Sequence, residues 1–294
     1  MLDIQFIRDN VELVAKKSQQ KGYEFDSSKF LEIDSKRRDL IKQAEDRRAE
    51  LNQAAEGFKK QQPTKEQRNH LKAKKEELSV IETELQSCDD GFTTITKNVP
   101  NIFPDDTPIG DESASVEVKK WGSTEAKSFE VKDHQTWGEE HGLIDFERGA
   151  KVAGNKFYFT LGGLVELEQA VFMLGTQIAI KHGFTPITVP NMVNRRTIEG
   201  TGFMAKGEEE QIYKLQDEDL HLIATAEIPI TGFHTDEILD LKDGPKLYAG
   251  LSPAYRREAG AYGKHSRGLY RVHQFNKLEM YVFCKPEDSE DRKS

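Results

Sequence analysis

The sequence predicts an α+β protein in which an antiparallel two-helix coiled-coil arm precedes an antiparallel-sheet core with helices packed on one side. Two stretches before residue 96 carry apolar residues at alternating spacings of three and four, the pattern of a coiled coil. Short strand-like segments separated by polar loops follow after residue 110. The 294 residues are 32% charged and 36% hydrophobic, which fits a chain that is partly extended and solvated.

The arm is predicted over residues 28–96 as two heptad seams joined by a turn. Pro63 cannot continue a helix interior, and Thr64 with Gln67 three residues later is the signature of a new helix start. Each helix has about 30 residues, so the arm should reach roughly 45 Å. The seam positions are Phe30, Ile33, Arg37, Leu40, Ala44, Arg47, Leu51, Ala54 and Phe58, then Leu71, Lys74, Leu78, Ile81, Leu85, Cys88, Phe92 and Ile95.

A proline-rich connector follows the arm. Pro100, Pro104 and Pro108 recur at four-residue spacing, which predicts extended backbone rather than helix. We therefore expect two domains, a helical arm over 1–110 and a core over 111–294.

The residues after this boundary predict strands and helices in turn. Consecutive strands joined by polar loops favour an antiparallel sheet. The predicted elements are helical turns over 133–151, a strand over 155–163, a helix over 164–183, a strand over 184–193, a glycine-rich loop over 199–210, short strands at 212–215 and 220–223, and longer strands over 241–258 and 268–283.

The charge is distributed unevenly along the chain. The net charge is −9, yet residues 36–75 contain 13 Lys or Arg and 6 acids, a local charge of +7. This block covers the outer half of the predicted arm. It is either the solvated surface of an ordinary coiled coil or an arm that binds phosphate groups. Arg37, Arg47 and Lys74 do not decide between these readings, because their long stems can cover the seam while their charges reach water.

Several protein classes are excluded by what the sequence lacks. The start MLDIQFIRDN does not resemble a signal peptide, and no apolar run approaches the length of a bilayer span. The cysteines Cys88 and Cys284 lie far apart without metal-binding spacing, which fits reduced thiols in the cytoplasm. GAKVAGNK fails as a phosphate-binding loop because Asn155 and Lys156 replace the Lys-Ser/Thr pair.

The segment 255–283 predicts a hairpin with an unusually charged face. Side chains alternate along a strand, so one face of the second strand carries Arg271, His273, Phe275, Lys277 and Glu279. On the first strand, Arg256 and Glu258 share a face as well. These charges are either cross-strand ion pairs on a wet surface or the floor of a ligand site. In the second reading arginine grips phosphate, the phenylalanine supports a base, and a carboxylate receives an ammonium or a cation.

These residues resemble a known family. The segment YRREAG…GLYRVHQFNKLEM closely resembles motif 2 of the class II aminoacyl-tRNA synthetases, in the version typical of seryl-tRNA synthetases. ATAEIP, residues 224–229, resembles the serine-binding segment of that family. The helix and strand that end in TPITVPNMV resemble its dimer-forming motif 1. MLDIQFIRDN and the basic hairpin are similar to its tRNA-binding arm.

The resemblance implies serine–tRNA ligase activity and a set of site residues. Arg256 should hold the α-phosphate of ATP as the catalytic residue, Glu258 should contact adenine or the metal, Phe275 should stack under adenine, and Arg271 should support the phosphates. The implied ATP-binding residues are Arg256, Arg257, Glu258, Arg271, Val272 and Phe275, and the implied serine-binding residues are Thr225, Ala226, Glu227 and Glu279.

The resemblance also implies partners and a location. ATP is the expected co-substrate together with Mg²⁺, whose ligands stay open. The expected partners are serine, tRNA(Ser) and a second copy of the chain, and tRNA(Sec) stays an open alternative. A cytoplasmic enzyme without a membrane anchor is expected.

One departure from the family pattern is serious. Class II enzymes carry a third motif with an arginine for the γ-phosphate side of ATP, and the chain ends at Ser294, eleven residues after Phe283, without it. This favours a fragment truncated after motif 2 over a shortened paralogue. Residues 1–294 alone are then expected to bind ATP weakly, form no seryl-adenylate and aggregate. The alternatives left open are a class II-like ligase that charges a carrier protein and a non-catalytic RNA-binding paralogue.

Overall fold

The computed structural model describes residues 2–58, 64–123, 125, 127–203, 211–258 and 268–289. Contacts divide the chain into two compact units, Met1–Lys120 and Trp121–Ser294. The predicted boundary near residue 110 stays a prediction.

The first unit is a helical arm on a small base. The structure confirms the predicted helix start: Gln67 N donates to Thr64 Oγ1 at 3.2 Å, and Thr64 N donates to Gln67 Oε1 at 2.9 Å. Pro63, which the sequence uses as the interruption, lies outside the described residues. The helices are α1 (Ile4–Asp9), α2 (Val11–Gln20), α3 (Ser27–Phe58) and α4 (Lys65–Lys97).

The heptad seam is confirmed along the contact between α3 and α4. Every predicted seam residue whose side chain the structure describes is buried or half-buried. Phe30 is fully buried against Phe92, with ring centroids 5.8 Å apart. Gly91 lets the helices approach closely here, because a Cβ on it would lie 2.8 Å from Ile33 Cδ1. Apolar knobs that recur every 3.5 residues therefore hold the two helices together.

A buried ion pair fixes the base of this unit. Asp34 is 1% exposed, and both of its carboxylate oxygens accept from Arg8, Oδ2 from Nε at 2.7 Å and Oδ1 from the terminal nitrogen at 2.8 Å. Arg38 adds a third bond at 3.1 Å. Burial alone would raise the pKa of Asp34, but the two arginines outweigh it and hold that pKa below its ordinary value. A bidentate pair of this kind fixes both partners in position.

The second unit is built on a three-stranded sheet of β3 (Thr185–Ile187), β6 (Lys246–Tyr255) and β7 (Gln274–Phe283), with β6 in the middle. The pairing of β6 with β7 is antiparallel and runs from Lys246 opposite Phe283 to Tyr255 opposite Gln274. β3 pairs with β6 in parallel, so the sheet is mixed rather than purely antiparallel. The strands are β1 (Ile144–Asp145), β2 (Phe159–Thr160), β3 (Thr185–Ile187), β4 (Met192–Asn194), β5 (Leu220–Leu222), β6 (Lys246–Tyr255) and β7 (Gln274–Phe283).

Helices cover both faces of the sheet, so the prediction of helices on one side is wrong. On one face, a Cβ on Gly175 would lie 2.9 Å from Leu278 Cδ2. On the other, a Cβ on Gly250 would lie 2.9 Å from Ile230 Cδ1. The sequence analysis did not predict the second helix, which contains Pro229 in its first turn. Near the start of a helix proline costs no hydrogen bond. The helices are α5 (His134–Glu140), α6 (Phe146–Ala153), α7 (Gly163–Lys181), α8 (Arg195–Gly200) and α9 (Glu227–Phe233).

The strand ends differ from those predicted. β6 ends at Tyr255 and β7 begins at Gln274, so Arg256, Glu258 and Arg271 lie outside the paired strands. Glu258 takes a φ of 48°, which no strand residue adopts. Two further segments differ: α8 occupies the start of the predicted glycine-rich loop, and residues 212–215 contribute a single bridge through Lys214 instead of a strand.

Helix α7 is long and apolar enough to cross a membrane by length and composition, contrary to the expectation that no stretch would be. Few of its residues are buried. It nevertheless packs on the sheet through Gly175, and its Glu168 Oε1 accepts from Asn276 Nδ2 of β7 at 2.9 Å. These contacts are those of a helix that covers one face of a sheet.

Candidate active site

Three segments converge beside the open end of β6 and β7. Tyr255 N donates to Ile223 O at 2.9 Å, which ties the end of β6 to the residues before α9. Arg256 N donates to His273 O at 2.9 Å, so the chain stays paired for one residue beyond each strand. Arg257 N donates to Gln211 O, also at 2.9 Å. Main-chain bonds therefore fix the positions from which the predicted site residues project.

The small residues of β6 make room on the face that carries the predicted ligand-binding side chains. Gly250, Ser252 and Ala254 lie directly opposite Glu279, Lys277 and Phe275. Directly opposed residues of an antiparallel pair share a face. Ala226, at the start of α9, also approaches this face, where a Cβ on Gly250 would lie 3.3 Å from its own Cβ. The missing side chain at Gly250 thus lets the segment before α9 come close to the sheet.

That close approach brings Thr225 to β7. Thr225 is 1% exposed, and its Oγ1 donates to Glu279 Oε2 at 3.0 Å, 54 residues along the chain. Lys277 Nζ donates to the same Thr225 oxygen at 3.1 Å and forms an ion pair with Glu279. Three polar groups from two segments therefore form one small network, in which a hydroxyl and an ammonium share one carboxylate oxygen.

Glu227 stands at the N-terminus of α9 next to this network. Its backbone N lies 3.4 Å from Thr225 Oγ1. Partial burial raises the pKa of Glu227 above its ordinary value, and the charge of Glu279 raises it further, while Lys277 acts in the opposite direction. Two carboxylates close to one cation create a local excess of negative charge. Such a pocket favours a cationic ligand.

A second cluster lies at the ends of the strands. The Arg256 guanidinium sits over the Phe275 ring, 5.4 Å from its centroid, and Arg256 Nε donates to Ala224 O at 3.3 Å. Glu258 forms an ion pair with Arg271 at 3.5 Å. Arg256, Glu258 and Arg271 line a cavity of about 240 Å³ together with Phe203, Gln211, Ile212 and Ala224. Two arginines on one cavity, one of them over a flat ring, suit a base with phosphates.

The structure does not place every predicted residue on this cavity. Val272, which is 4% exposed, and Ala226, which is fully buried, do not line it. Arg257 does not line it either, and its backbone N is bonded to Gln211 O. The sequence put His273 on the ligand face but did not show its supporting role: His273 Nδ1 lies 2.9 Å from Arg256 O and 3.1 Å from the Tyr213 hydroxyl. Lys277 was placed on the ligand face by strand alternation, but no local pattern could identify Thr225 as its partner.

The return segment to β7 is anchored by another histidine. Leu269 N donates to His134 Nε2 at 2.9 Å, and a Cβ on Gly268 would lie 2.2 Å from the same nitrogen. Gly268 also has a φ of 69°, so glycine is required here on both grounds. His134 of α5 therefore sets the point from which the chain runs through Arg271 into β7.

No group of three or more His, Cys, Asp or Glu side chains that could hold a metal ion occurs among the described residues. One carboxylate, Glu258, lines the cavity of about 240 Å³ beside Arg256. That donor set does not make an all-protein cation site, but it does fit Mg²⁺, which usually takes one or two carboxylates and completes its shell with phosphates and water.

Two family models match the chain. Residues 1–103 match the seryl-tRNA synthetase N-terminal domain, and residues 212–294 match the tRNA synthetase class II core domain (G, H, P, S and T). The first match covers the helical arm, and the second covers α9, β6, β7 and both clusters described above.

Curated relatives match almost the whole chain. A serine–tRNA ligase of Treponema denticola is 41% identical, with 99% of this chain and 70% of the relative covered. One of Dictyoglomus turgidum is 39% identical with the same shares covered. The structure of seryl-tRNA synthetase from Pyrococcus horikoshii complexed with ATP matches with a TM-score of 0.83 and 34% identity, over 99% of this chain and 71% of that one. The chain spans about 70% of the length of these relatives. The chain belongs to the seryl-tRNA synthetase family of class II aminoacyl-tRNA synthetases.

Proposed function

We propose that this chain is the arm and the motif 2 part of a serine–tRNA ligase, which joins serine to ATP and passes the seryl group to tRNA(Ser). The observation that carries the proposal is the convergence of two sites. A group with excess negative charge, Thr225, Glu227 and Glu279, lies on the same face as a cavity lined by Arg256, whose guanidinium sits over Phe275. An ammonium substrate and a nucleotide would thus meet at their reactive ends.

The proposed reaction has two steps. A carboxylate oxygen of serine attacks the α-phosphorus of ATP in line, the bond to the bridging oxygen breaks, and pyrophosphate leaves. The terminal ribose hydroxyl of the tRNA then attacks the carbonyl of seryl-adenylate, loses its proton, and AMP leaves. The protein forms no covalent bond in either step, so its contribution is positioning and neutralisation of charge.

Arg256 has the main role in the first step. Its bond to the Ala224 carbonyl and its contact with Phe275 hold the guanidinium at the mouth of the cavity. There it can donate to two oxygens of the α-phosphate as negative charge develops. Arg271 supports the outer side of the same cavity, and Phe275 offers its ring to adenine.

Serine recognition is proposed for the pocket beside β7. Glu279 and Glu227 would receive the ammonium, and Thr225 together with Glu279 would bond the hydroxyl. A site built to hydrogen-bond a hydroxyl leaves buried polar groups unpaired when the hydroxyl is missing. Alanine should therefore be rejected strongly, and threonine excluded by space.

Mg²⁺ is proposed to accompany ATP, with Glu258 as the residue that would hold it. When bound it would supply positive charge to the phosphates. Glu258 is 15% exposed at the cavity edge, and its pairing with Arg271 at 3.5 Å is loose enough to open.

The test of the proposed function is serine-dependent exchange of pyrophosphate into ATP by the full-length enzyme. Serine should support exchange, and alanine should be about 10³-fold or more poorer in kcat/KM. Exchange without any amino-acid selectivity, or none with serine, would contradict the assignment.

The arm is proposed to bind tRNA through cations that the coiled coil does not use. Arg37 pairs with Asp89, and Lys74 with Glu50, across the two helices. Lys65, Arg68 and Lys75, in contrast, form no ion pair among the described residues. Together with Lys72 they follow a three- and four-residue spacing, so they line one exposed face of α4.

This division gives a matched experiment on tRNA binding. Replacing Lys65, Arg68 and Lys75 by glutamine should reduce the slope of log K against log salt by about 2, since each lost phosphate contact removes roughly 0.7–0.9. The control replaces Lys36, Arg48 and Lys74, which pair with Glu84, Glu82 and Glu50. It removes the same charge and should change the slope by less than half as much. Equal losses would refute a dedicated face.

A homodimer is proposed through α7. Its uncovered side carries a run of large apolar residues, which on a stable monomer is an unusual feature. Changing Leu174 to glutamate should shift the full-length enzyme to a monomer in light scattering. The control Val152→Glu changes an exposed residue of α6 and should not. The exposed residues are Leu167, Val171, Met173, Leu174, Ile178 and Ile180. The proposed serine–tRNA ligase function also includes a cytoplasmic location and, as an open alternative, charging of tRNA(Sec).

A further inference from the structure

The ammonium of Lys277 already occupies the negative pocket. Lys277 Nζ donates to Thr225 Oγ1 at 3.1 Å and pairs with Glu279 Oε2, the oxygen that also accepts from Thr225 at 3.0 Å. An ammonium with three donors, held by a hydroxyl and a carboxylate next to a second glutamate, has the surroundings expected for the amino group of an amino acid.

A substrate ammonium and the Lys277 ammonium would compete for the same position beside Glu279. Glu227 and Glu279 contribute two negative charges and Lys277 one positive charge. A zwitterionic substrate adds one charge of each sign. Its ammonium and that of Lys277 cannot both use the same two oxygens, because like charges at that distance repel. One of them must move, and only the lysine has a long flexible stem.

The Lys277 side chain has room to move away from Glu279. Its side chain is 36% exposed, so one side of the pocket is open. Directly opposite it on β6 lies Ser252, which is 3% exposed and whose hydroxyl has no hydrogen-bond partner among the described residues. A buried hydroxyl without a partner costs free energy. In the arrangement that has Lys277 on Glu279, this face of the sheet therefore keeps one buried hydroxyl that is unpaired among the described residues.

We propose that Lys277 holds the ammonium position of the serine pocket in the unliganded protein, and that on binding it gives this position to the substrate and pairs with the substrate carboxylate. The proposal rests on the proposed serine site. Lys277 is thereby a substrate-binding residue that links recognition of the amino group to recognition of the carboxylate, the group that goes on to react.

This exchange predicts selectivity against amines that lack a carboxylate. Serinol carries the ammonium and hydroxyl of serine but offers a displaced lysine no partner. It must break the Lys277–Glu279 pair and leave the lysine uncompensated. Serine breaks the same pair and replaces it with another, so the lysine costs it little.

The test compares serine and serinol on the full-length enzyme by calorimetry, with Lys277 changed to methionine. Methionine keeps the length of the side chain and removes the charge. The affinity for serine should change by less than about threefold, because the variant lacks both the pair that serine breaks and the pair that replaces it. Serinol should bind at least severalfold more tightly, because nothing competes for Glu279. The control, Lys246→Met, changes a lysine at the far end of β6 and should leave both affinities unchanged.

The two changes together decide between the possible outcomes. If serine and serinol weaken by the same factor, Lys277 is a fixed structural partner and the exchange is refuted. If both tighten, the lysine only blocks the pocket and does not bind the carboxylate, which also refutes it. If the unchanged enzyme does not bind serine at all, the proposed function fails first and the exchange fails with it. Matching thermal unfolding of the variants shows that the differences do not come from misfolding.

Discussion

Each unit of this molecule sets a carboxylate against a cation, and the two pairs differ in the cation used. Asp34 is held by Arg8 through both oxygens, with Arg38 as a further donor. Glu279 is held by Lys277 through a single oxygen that it shares with Thr225. A guanidinium fork fixes both partners, whereas an ammonium is a point charge on a flexible stem. The first pair suits a permanent structural bond and the second suits exchange with a ligand.

The surrounding charges differ in the same way. Two exposed ion pairs across the coiled coil, Arg48 with Glu82 and Lys36 with Glu84, share no residue with each other. In the second unit, Glu227, Glu279 and Lys277 influence one another, and the pKa of Glu227 depends on both neighbours. Substitutions in these two arm pairs should therefore act nearly independently, while those around Glu279 should be coupled.

The largest effect is expected at Arg256, because its guanidinium is held in place and is the proposed contact to the α-phosphate. Arg256→Ala should lower the rate of seryl-adenylate formation by about 10²–10³, the usual cost of one donor to developing charge. Arg256→Lys should recover little of this, because lysine cannot bond two phosphate oxygens in one plane. Single-turnover measurements of seryl-adenylate formation give both rates.

The control for this experiment is Arg196→Lys. Arg196 forms a bidentate pair with Asp236, at 2.9 and 2.7 Å, but both side chains are 70% exposed. Its replacement should leave the rate unchanged. A nearly normal Arg256→Lys enzyme would show that Arg256, too, is only a surface partner.

The second effect concerns stability. Asp34→Asn should lower the free energy of unfolding by about 2–3 kcal/mol, because it leaves Arg8 without its buried counter-charge. Glu82→Gln, which removes an exposed pair with Arg48, should cost less than about 0.5 kcal/mol. Urea unfolding followed by circular dichroism measures both changes. Equal effects would mean that burial of Asp34 does not set it apart.

The arm also shows which contacts can be predicted from the sequence and which cannot. The seam of the arm follows from local spacing alone, since every seam contact repeats with the helix period, and the capping box at Thr64 is equally local. Asp34 stands next to the seam residue Ile33, and nothing near it identifies Arg8, 26 residues away, as its partner. Burial of a carboxylate depends on how α1 packs, which the spacing does not encode.

In the second unit the strands were predicted better than the turns. Alternation correctly put Phe275, Lys277 and Glu279 on one face. It failed at Arg271 and Glu258, because tertiary bonds such as Leu269 to His134 end the strand pairing. The helix that begins at Glu227 was missed, although its position against Gly250 is what brings Thr225 to the sheet.

The third effect converts the exchangeable pair into a fixed one. Lys277→Arg should raise the KM for serine about tenfold, because a guanidinium would hold Glu279 with its fork and leave more slowly for the substrate. The unfolding temperature should not fall. Steady-state exchange kinetics measure the effect, with Lys246→Arg as the control. An unchanged KM would show that the kind of cation at this position does not matter.

The smallest effect is a difference in pH dependence between the two acids. Asp34 has a lowered pKa, so its contribution to stability is present above the ordinary pKa of aspartate and is lost as the pH falls through the folded value. Glu227 has a raised pKa, so the native state binds more protons than the unfolded state between the ordinary pKa of glutamate and the folded value. Its contribution therefore declines as the pH rises through that window.

Two variants separate these opposite slopes. Glu227→Gln should remove the decline with rising pH and make the ligand-free protein relatively more stable at neutral pH than at acid pH, by a small amount because Glu227 is only half-buried. Asp34→Asn should flatten the acid side instead. Unfolding temperatures measured from weakly acid to neutral pH in low salt resolve the two. If Glu227→Gln leaves the profile unchanged, Lys277 already compensates Glu227 fully. The pocket would then have no excess negative charge with which to attract the ammonium of serine.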